Sequence, residues 1–418
     1  MMNTLSKAFI FTVSMLSTFE PSFSQDSTLT IKKSLQSIEF TGDFFINSNT
    51  ISNNFISSFY KGKFIDSTLK ETISERLVLN NRLGASSKLG FTYTMLPADS
   101  KHNTVFAFSF FDRQHLDVKF SDELFNTIFY GNKMYAGQTA RLGDFSMNLL
   151  RYQQFRAGWD WKGDFYHGSY GFAFSLLSGD QNVVVTAPTA DLFTAADGTY
   201  LDFDIAMKVH STDTSKQKYF SQNGMGVSTD FYYEMPYIAW KKPGKITFEV
   251  RDLGVIQWSN KSMQYAVDSS YHYDGIDVSN LFNLDSTTSP LNIDSVIDKN
   301  TTFKTGKYIT KIPCTFDVHT KTFYGKQFAF EKGVIFLFNT SSKPYYYAKF
   351  HFIFGRNKPA DIAYVIAYGG YGRFNAGIEA KFDFAKKYSI HLIENYFFTE
   401  LSQTSYGMGL YVKLVRRF

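Results

Sequence analysis

The stretch Tyr406-Gly-Met-Gly-Leu-Tyr-Val-Lys-Leu-Val-Arg-Arg-Phe418 decides the fold, because its two alternating rows of side chains differ in polarity. The apolar row, broken only by Arg416, holds Tyr406, Met408, Leu410, Val412, Leu414 and Phe418. The other row holds Gly407, Gly409, Tyr411, Lys413 and Arg417. Such alternation indicates a strand whose two faces meet different solvents. A transmembrane β-barrel needs a strand of this kind to pair with its first strand and leave no edge in lipid.

The composition agrees with a barrel. The chain has 45 Phe and 27 Tyr, yet its mean hydropathy is slightly negative, at -0.21. This combination is typical of alternating strands with aromatic girdles. Beyond the N-terminus no run approaches the ~18 apolar residues of a membrane helix. The single cysteine, Cys314, excludes a disulfide framework within the chain. The net charge of +5 gives no indication of a nucleic-acid partner.

The first 24 residues read as a secretory signal peptide. Lys7 supplies the charge, residues 8–19 form the apolar core, and Ser22 and Ser24 are the small residues before Gln25. We therefore expect residues 25–418 to leave the cytoplasm and to form a single barrel in the cell outer membrane, in contact with its lipid.

Period-two alternation dominates from Leu89 to the C-terminus and predicts about twelve to fourteen strands. An earlier strand is predicted near residues 37–47. The spacing of apolar residues predicts a helix over residues 63–77, so that residues 25–85 form a partly helical N-terminal segment. A second helix is predicted over residues 121–131, capped by Ser121. This helix packs either on a core or as a hatch inside the barrel.

Charged side chains recur on the row opposite the apolar one, strand after strand. Because an unpaired buried charge costs several kcal/mol, these rows predict a wet or densely ion-paired interior. The candidates for facing the lumen are Lys311, Asp317, His319, His351, Glu379, Lys381, His391 and Tyr411. As a pore lining they would be functional, and as cross-ties between strands they would be structural. For the histidines the alternatives are a hydrogen-bond network and a proton or substrate relay.

One connection, residues 266–307, is much longer than the rest. It carries six acids, and it is predicted to be an extracellular loop because barrel loops are long outside and short in the periplasm. The acids are Asp268, Asp274, Asp277, Asp285, Asp294 and Asp298. Calcium binding by Asp274, Asp277 and Asp285 is weaker than a solvated loop as an explanation, because the spacing is not that of an EF-hand. No metal or other cofactor is therefore expected.

Three stretches, residues 129–139, 224–230 and 248–258, carry a resemblance to a known group of proteins. They resemble Bacteroidota outer-membrane barrels related to the FadL-like fatty-acid transporters and the PorV-like proteins, including a family of unknown function. The resemblance implies about fourteen strands with short N-terminal helical segments in or near the lumen. It also implies a C-terminal signal for the barrel-assembly machinery, from which Arg416 departs. The residues of that signal are Phe418, Leu414, Val412 and Leu410.

The predicted fold class is therefore all-β, a transmembrane antiparallel β-barrel. No catalytic motif accompanies it: the histidines are scattered and no Gly-x-Ser-x-Gly elbow occurs, so an enzyme is not expected. Two functions stay open. One is FadL-like transport of a small hydrophobic compound, and the other is a PorV-like partner or scaffold for a secretion or cell-surface assembly. A soluble β-sandwich is the third reading of the alternation.

Overall fold

The computed structural model describes residues 35–97, 104–163, 168–213, 219–239, 241–274, 301–355, 360–384, 387–400 and 405–418. The predicted signal peptide and most of the predicted acidic loop lie outside them. The strands are β1 (Leu35–Ser48), β2 (Asn81–Leu96), β3 (Thr104–Phe120), β4 (Gln138–Arg141), β5 (Phe145–Lys162), β6 (Ser169–Thr194), β7 (Leu201–Ser211), β8 (Gly224–Ala239), β9 (Lys242–Trp258), β10 (Met263–Tyr273), β11 (Thr301–Thr305), β12 (Ile309–Lys311), β13 (Cys314–Phe323), β14 (Phe328–Phe338), β15 (Tyr345–Phe354), β16 (Ala360–Gly369), β17 (Phe374–Phe384), β18 (Tyr388–Glu394) and β19 (Gly407–Arg417). The helices are α1 (Asn53–Tyr60), α2 (Ser67–Ser74), α3 (Asp122–Tyr130) and α4 (Phe397–Glu400), with a 3₁₀ turn at Asn132–Tyr135.

Fourteen antiparallel strands close into a barrel, which confirms the all-β, antiparallel barrel of the prediction. Around the wall the order is β1, β2, β3, β5, β6, β8, β9 and then β13 to β19. The closing pair is β19 with β1, in a register that runs from Ser37 opposite Arg417 to Asn47 opposite Gly407. The C-terminal stretch is thus the closing strand that its alternation predicted.

The two faces of the closing strand differ as expected. Leu410 and Leu414 are exposed on the outer face, whereas Tyr411 and Lys413 are buried on the inner face. The guanidinium of Arg416, the discordant residue, lies 4.9 Å from the ring centre of Phe418, in cation–π contact with it. An outer row of exposed apolar side chains continues around the wall and includes Phe40, Phe91, Phe108, Phe155, Phe174, Leu176, Phe231, Leu253, Phe352 and Tyr364.

The two ends of the barrel differ in their connections. At one end neighbouring strands are joined by short turns, for example between β13 and β14 and between β17 and β18. At the other end, called here the loop end, lie the helices and the longer connections. There β6 runs on beyond the wall and pairs with β4 and β7, and β7 continues the sheet through β10 to β11. The predicted loop 266–307 is therefore shorter at both ends, because residues 263–273 and 301–305 are strands.

The N-terminal segment agrees in part with its predicted form. The strand predicted near residues 37–47 is β1, and the helix predicted over residues 63–77 is present as the shorter α2, whereas α1 was not predicted. Ser52 caps α1 and Asp66 caps α2, which divides the segment in two. The predicted helix at residues 121–131 is confirmed as α3, with Ser121 as its cap. None of the helices in the described ranges is long and apolar enough to cross a membrane.

Helices α1, α2 and α3 pack together at the loop end and form what we call the helical cap. Its core is apolar, with Phe55 against Phe125 at a ring distance of 5.8 Å and Ile73 fully buried. The cap is tied to the rim of the barrel, since Asn53 donates to the carbonyl of Gly407 at 2.9 Å. The guanidinium of Arg76 also stacks on the ring of Tyr406.

The outer face carries a polar interruption at a bulge in β6. The register between β5 and β6 shifts between Arg151 and Tyr152, and this shift accommodates Asp180. Asp180 accepts hydrogen bonds from the backbone amides of Phe220 and Ser221 at 3.1 and 3.0 Å. The segment 219–223 therefore covers the charged groups on this part of the wall.

Candidate functional site

The inner face of β13 to β18 carries a continuous network of ion pairs. Its centre is Glu379 on β17, whose side chain is 3% exposed. The Glu379 carboxylate lies 2.9 Å from each of three cationic or imidazole groups, those of Lys349, Lys381 and His391. Lys349 also lies 3.3 Å from Glu331, which extends the network to β14. Charges that are expensive to bury alone are thus paired within a strand, between adjacent strands and, for Lys349 and Glu379, across β16.

The second centre of this network is His351 on β15, which is almost completely buried. Its Nδ1 lies 3.0 Å from Asp361, and its Nε2 lies 3.3 Å from Glu331. Lys321 lies 3.9 Å from the carboxylates of both acids. Because each carboxylate meets at least two nitrogen groups, the network is cross-linked rather than a set of separate pairs.

The structure brings together most of the residues that the sequence selected as lumen candidates. Glu379, Lys381, His391 and His351 belong to the network, and Tyr411 packs edge-on against His391 at a ring distance of 4.8 Å. Asp317 and His319 form a separate pair at 3.2 Å on β13. Lys311 is different, because it is exposed on the short strand β12, which pairs with the loop-end part of β9.

Charged pairs also reach between strands that are not neighbours in the wall. The guanidinium of Arg113 on β3 lies 2.7 Å from Asp252 on β9, although β5, β6 and β8 lie between them. Arg156 on β5 lies 2.5 Å from Asp230 on β8, across β6. These contacts pass through the lumen, so side chains of the described wall meet inside the barrel.

Two connections fold inward at the loop end and bind the opposite wall. Asp117 on β3 accepts hydrogen bonds at one oxygen from Ser341 and Tyr371, which lie in the β14–β15 and β16–β17 connections. Arg82 on β2 donates to the carbonyls of Gly370 and Gly372. These bonds hold both connections inside the mouth of the barrel.

The helical cap and the segments beside it expose a group of large apolar side chains at the loop end. Phe64 is 88% exposed and Ile128 is 64% exposed. Further members of this apolar surface of the cap are Phe59, Tyr60, Val78, Leu79, Tyr130 and Met134. Clusters of this kind mark interaction or ligand-binding surfaces more often than single exposed residues do.

Comparison with known proteins gives a family. Residues 39–388 match the family of unknown function DUF5723. The chain belongs to this family. No curated protein matches the chain.

Solved structures that are similar to this DUF5723 barrel share very little sequence identity with it. One is a deltaS2S3 mutant of the TodX monoaromatic hydrocarbon channel, with 9% identity, a TM-score of 0.38, and coverage of 95% of this chain and 91% of that one. The toluene transporter TodX of P. putida gives 8% identity, a TM-score of 0.36, and coverage of 92% and 87%. The siderophore receptor PirA from Pseudomonas aeruginosa gives 6% identity and a TM-score of 0.20, with coverage of 92% and 80%.

Sequence reasoning missed several groups of the DUF5723 barrel interior. Arg113, Asp252, Arg156 and Asp230 were not selected, although each lies on an inner row. Alternation with the exposed phenylalanines of β3 and β5 marks Arg113 and Arg156 as inward. It does not reveal their partners, because β8 and β9 reach them only after the barrel closes.

A smaller polar site lies outside the wall, on the sheet that β7 and β10 form beyond the rim. His272 contacts Asp202 through Nδ1, and its Nε2 lies 2.7 Å from Asp274. Hydrogen bonds to Asp202 and then to Asp274 raise the pKa of His272 above its ordinary 6.5. Asp277 and Asp285, the other predicted calcium ligands, lie outside the described residues.

We expect the pairing of β7 with β10 to depend on pH. Because the pKa of His272 is raised in the folded chain, its stabilising effect is complete below 6.5 and is lost as the pH rises through the raised pKa. Hydrogen exchange measured by mass spectrometry should show less protection of β7 and β10 at pH 9 than at pH 5, after correction for the intrinsic rate. The variant His272→Gln should lose this difference. Equal protection of the original chain at both pH values would show that protonated His272 does not stabilise the pairing of β7 with β10.

Proposed function

We propose that the chain is an outer-membrane β-barrel that transports a small hydrophobic compound. Its position in the membrane is supported by the outer row of exposed apolar side chains. Exposure of this row to water is unfavourable, whereas lipid would cover it. Closure of the wall supports the same position, because a closed barrel leaves no unpaired strand edge in lipid. The route to this membrane requires the barrel-assembly machinery, with Phe418, Leu414, Val412 and Leu410 as the proposed signal.

The apolar surface of the helical cap carries the proposal for a hydrophobic compound. It lies at the loop end, which we place outside the cell because long connections of such barrels are extracellular. A small hydrophobic molecule would gain about 25 cal/mol for each Å² of apolar area that it buries there. Its transport requires movement of the connections that carry Ser341 and Tyr371, which fold into the mouth.

The cap gives a direct test of transport. The double variant Phe64→Ser and Ile128→Ser should reduce uptake of the fluorescent hydrophobic probe N-phenyl-1-naphthylamine into vesicles containing the purified chain. We expect the affinity of the cap for the probe to fall about tenfold, because the two substitutions remove apolar area that the probe would bury. Ile309→Ser is the matched control, because Ile309 is 62% exposed at a different strand, β12. If vesicles that contain the unsubstituted chain take up no more probe than empty vesicles do, the proposal is contradicted.

A second function is favoured by the contacts that cross the lumen. The Arg113–Asp252 pair and the inward connections describe an interior stabilised by its own side chains. A barrel of this kind can serve as a partner or scaffold for a secretion or cell-surface assembly, with the apolar cap as the contact surface. Crosslinking in intact outer membranes, followed by purification of the barrel, tests it. Recovery of the barrel alone, together with probe uptake, would favour transport.

A further inference from the structure

The mouth of the barrel contains a polar cavity that the proposed hydrophobic ligand does not use. Its volume is about 590 Å³, within the range of roughly 300–1,000 Å³ that small-molecule sites occupy. One side is formed by the loop-end parts of β2, β3 and β5, and the other by the β14–β15 connection. The lining residues are Asn80, Asn81, Arg82, Asp117, Lys119, Ser146, Asn339, Thr340, Ser341 and Lys343.

Arg82 gives the cavity a buried positive charge without an acidic partner. It is 7% exposed, and its Nε and Nη2 donate at 2.9 and 3.0 Å to the carbonyl oxygens of Gly370 and Gly372. No carboxylate oxygen within the described ranges lies within 4.0 Å of its guanidinium. Neutral carbonyls satisfy the donors but leave the charge uncompensated, and a guanidinium is well suited to an anionic group.

Two lysines add to this charge from opposite sides. Lys343 is exposed on the β14–β15 connection, and Lys119 on β3 forms an ion pair with Asp144 at 2.5 Å. The acid in the lining, Asp117, is occupied at Oδ1. That oxygen accepts hydrogen bonds from the Ser341 amide at 2.8 Å, the Ser341 hydroxyl at 2.7 Å and the Tyr371 hydroxyl at 2.8 Å. The cavity and its flanking salt bridge therefore hold three cationic side chains and two acidic ones. The cations are Arg82, Lys119 and Lys343, and the acids are Asp117 and Asp144.

The same hydrogen bonds fix the shape of the cavity. Asp117 holds the β14–β15 connection, and Asn339 at the start of that connection donates to the carbonyl of Ile312 at 2.8 Å. A site whose walls are already tied in place loses little conformational entropy when a ligand binds. The neutral part of the lining consists of amides and hydroxyls, which both donate and accept hydrogen bonds as sugar hydroxyls do.

We propose that this cavity binds a small hydrophilic anion that carries hydroxyl groups, such as a sugar acid. Arg82 and Lys343 meet the anionic group, while Asn80, Asn339 and Ser146 meet the hydroxyls. Of the lining side chains in the wall, Arg82, Asp117, Lys119 and Ser146 lie on the inner rows, so the ligand enters from the aqueous mouth and not from the lipid face. This site is independent of the apolar surface of the cap and of the compound proposed to bind there.

Calorimetric titration of the purified full chain in detergent tests the cavity, with D-glucuronate as probe and D-glucose as its uncharged counterpart. Glucuronate should bind and glucose should not bind measurably. Lys343→Gln should weaken glucuronate binding by about tenfold, the effect of losing one charge-assisted contact. Ser146→Leu should abolish it, because the larger side chain occupies the cavity. Lys326→Gln is the control: the same charge is removed from an exposed turn at the opposite end of the barrel.

Several results would overturn the proposal. They are no glucuronate binding, equal binding of glucose, or an equal loss of affinity in the Lys343→Gln and Lys326→Gln variants. Folding is checked for each variant by its change in gel mobility on heating. If Ser146→Leu fails that check, Thr340→Leu provides the second cavity-filling variant, and unchanged binding in it counts against the site. Loss of probe uptake in the cap variant leaves these results unaffected, so the two proposals fail separately.

Discussion

Replacing Glu379 with alanine is expected to lower the free energy of unfolding of the barrel by about 3–5 kcal/mol, the cost of breaking a buried ion pair from one side. The Glu379 carboxylate contacts Lys349, Lys381 and His391 at 2.9 Å, and its side chain is 3% exposed. Its removal leaves two lysines and a histidine close together on the inner wall with one acid fewer. Urea unfolding in lipid vesicles, followed by heat-dependent gel mobility, measures the loss.

The pair of Arg417 and Asp383 provides the control for this variant. The charged groups lie 3.3 Å apart, but their side chains are 38% and 41% exposed. Exposed pairs contribute about 0–1 kcal/mol, so Asp383→Asn should have a small effect. If Glu379→Ala destabilises the barrel no more than Asp383→Asn does, the inner network does not stabilise the wall.

The second large effect concerns the outer face. Leu176→Arg should destabilise the barrel in a bilayer by about 2–4 kcal/mol, the cost of a lipid-facing arginine near the bilayer centre. Leu176 is 58% exposed on β6, with Phe155 opposite it on β5 and Val227 opposite it on β8. The same vesicle unfolding assay measures this cost, and the proposed position in the membrane predicts it.

A leucine outside the wall separates membrane burial from a general effect of the substitution. Leu79 is 76% exposed in the segment between α2 and β2. Leu79→Arg should leave the free energy of unfolding within about 0.5 kcal/mol, as surface substitutions usually do. Equal costs for the two leucines would contradict lipid contact at Leu176.

The closing strand and the inner rows could be predicted because alternation is a local property of the sequence. Tyr411 and Lys413 face inward and Leu410 and Leu414 face outward, as their spacing indicates. The helix α3 could be predicted for the same reason, since Ser121 and the acids after it are local signals. In the N-terminal segment the cap at Asp66 was a local signal too, but the apolar spacing favoured one longer helix.

Features that depend on closure of the wall were not predictable. Arg113 meets Asp252 only because β3 and β9 face each other across the lumen. The inserted residue in β6 is a further case. Asp180 is accommodated by a register shift, and the amides that satisfy it come from residues 220 and 221. Spacing along one strand contains no information on either partner.

The uncharged lining of the polar cavity at the mouth could not be predicted from the sequence either. Asn80, Ser146 and Thr340 have no shared spacing, and they meet because the β14–β15 connection folds into the mouth. The sequence identified charged residues of the wall as candidates, whereas the cavity combines the wall with a connection from the other side of the barrel.

Closure by β1 and β19 also has a consequence for the order of folding. This seam joins Ser37 to Arg417, nearly the full length of the described chain, whereas most other pairs in the wall join strands that are neighbours in sequence. The entropy lost on closing a loop grows with its length, and contacts between distant residues form slowly. The hairpins should therefore assemble first, leaving β1 and β19 as two open edges until the last step. Slow pairing of β1 with β19 would then set the rate of folding into a membrane.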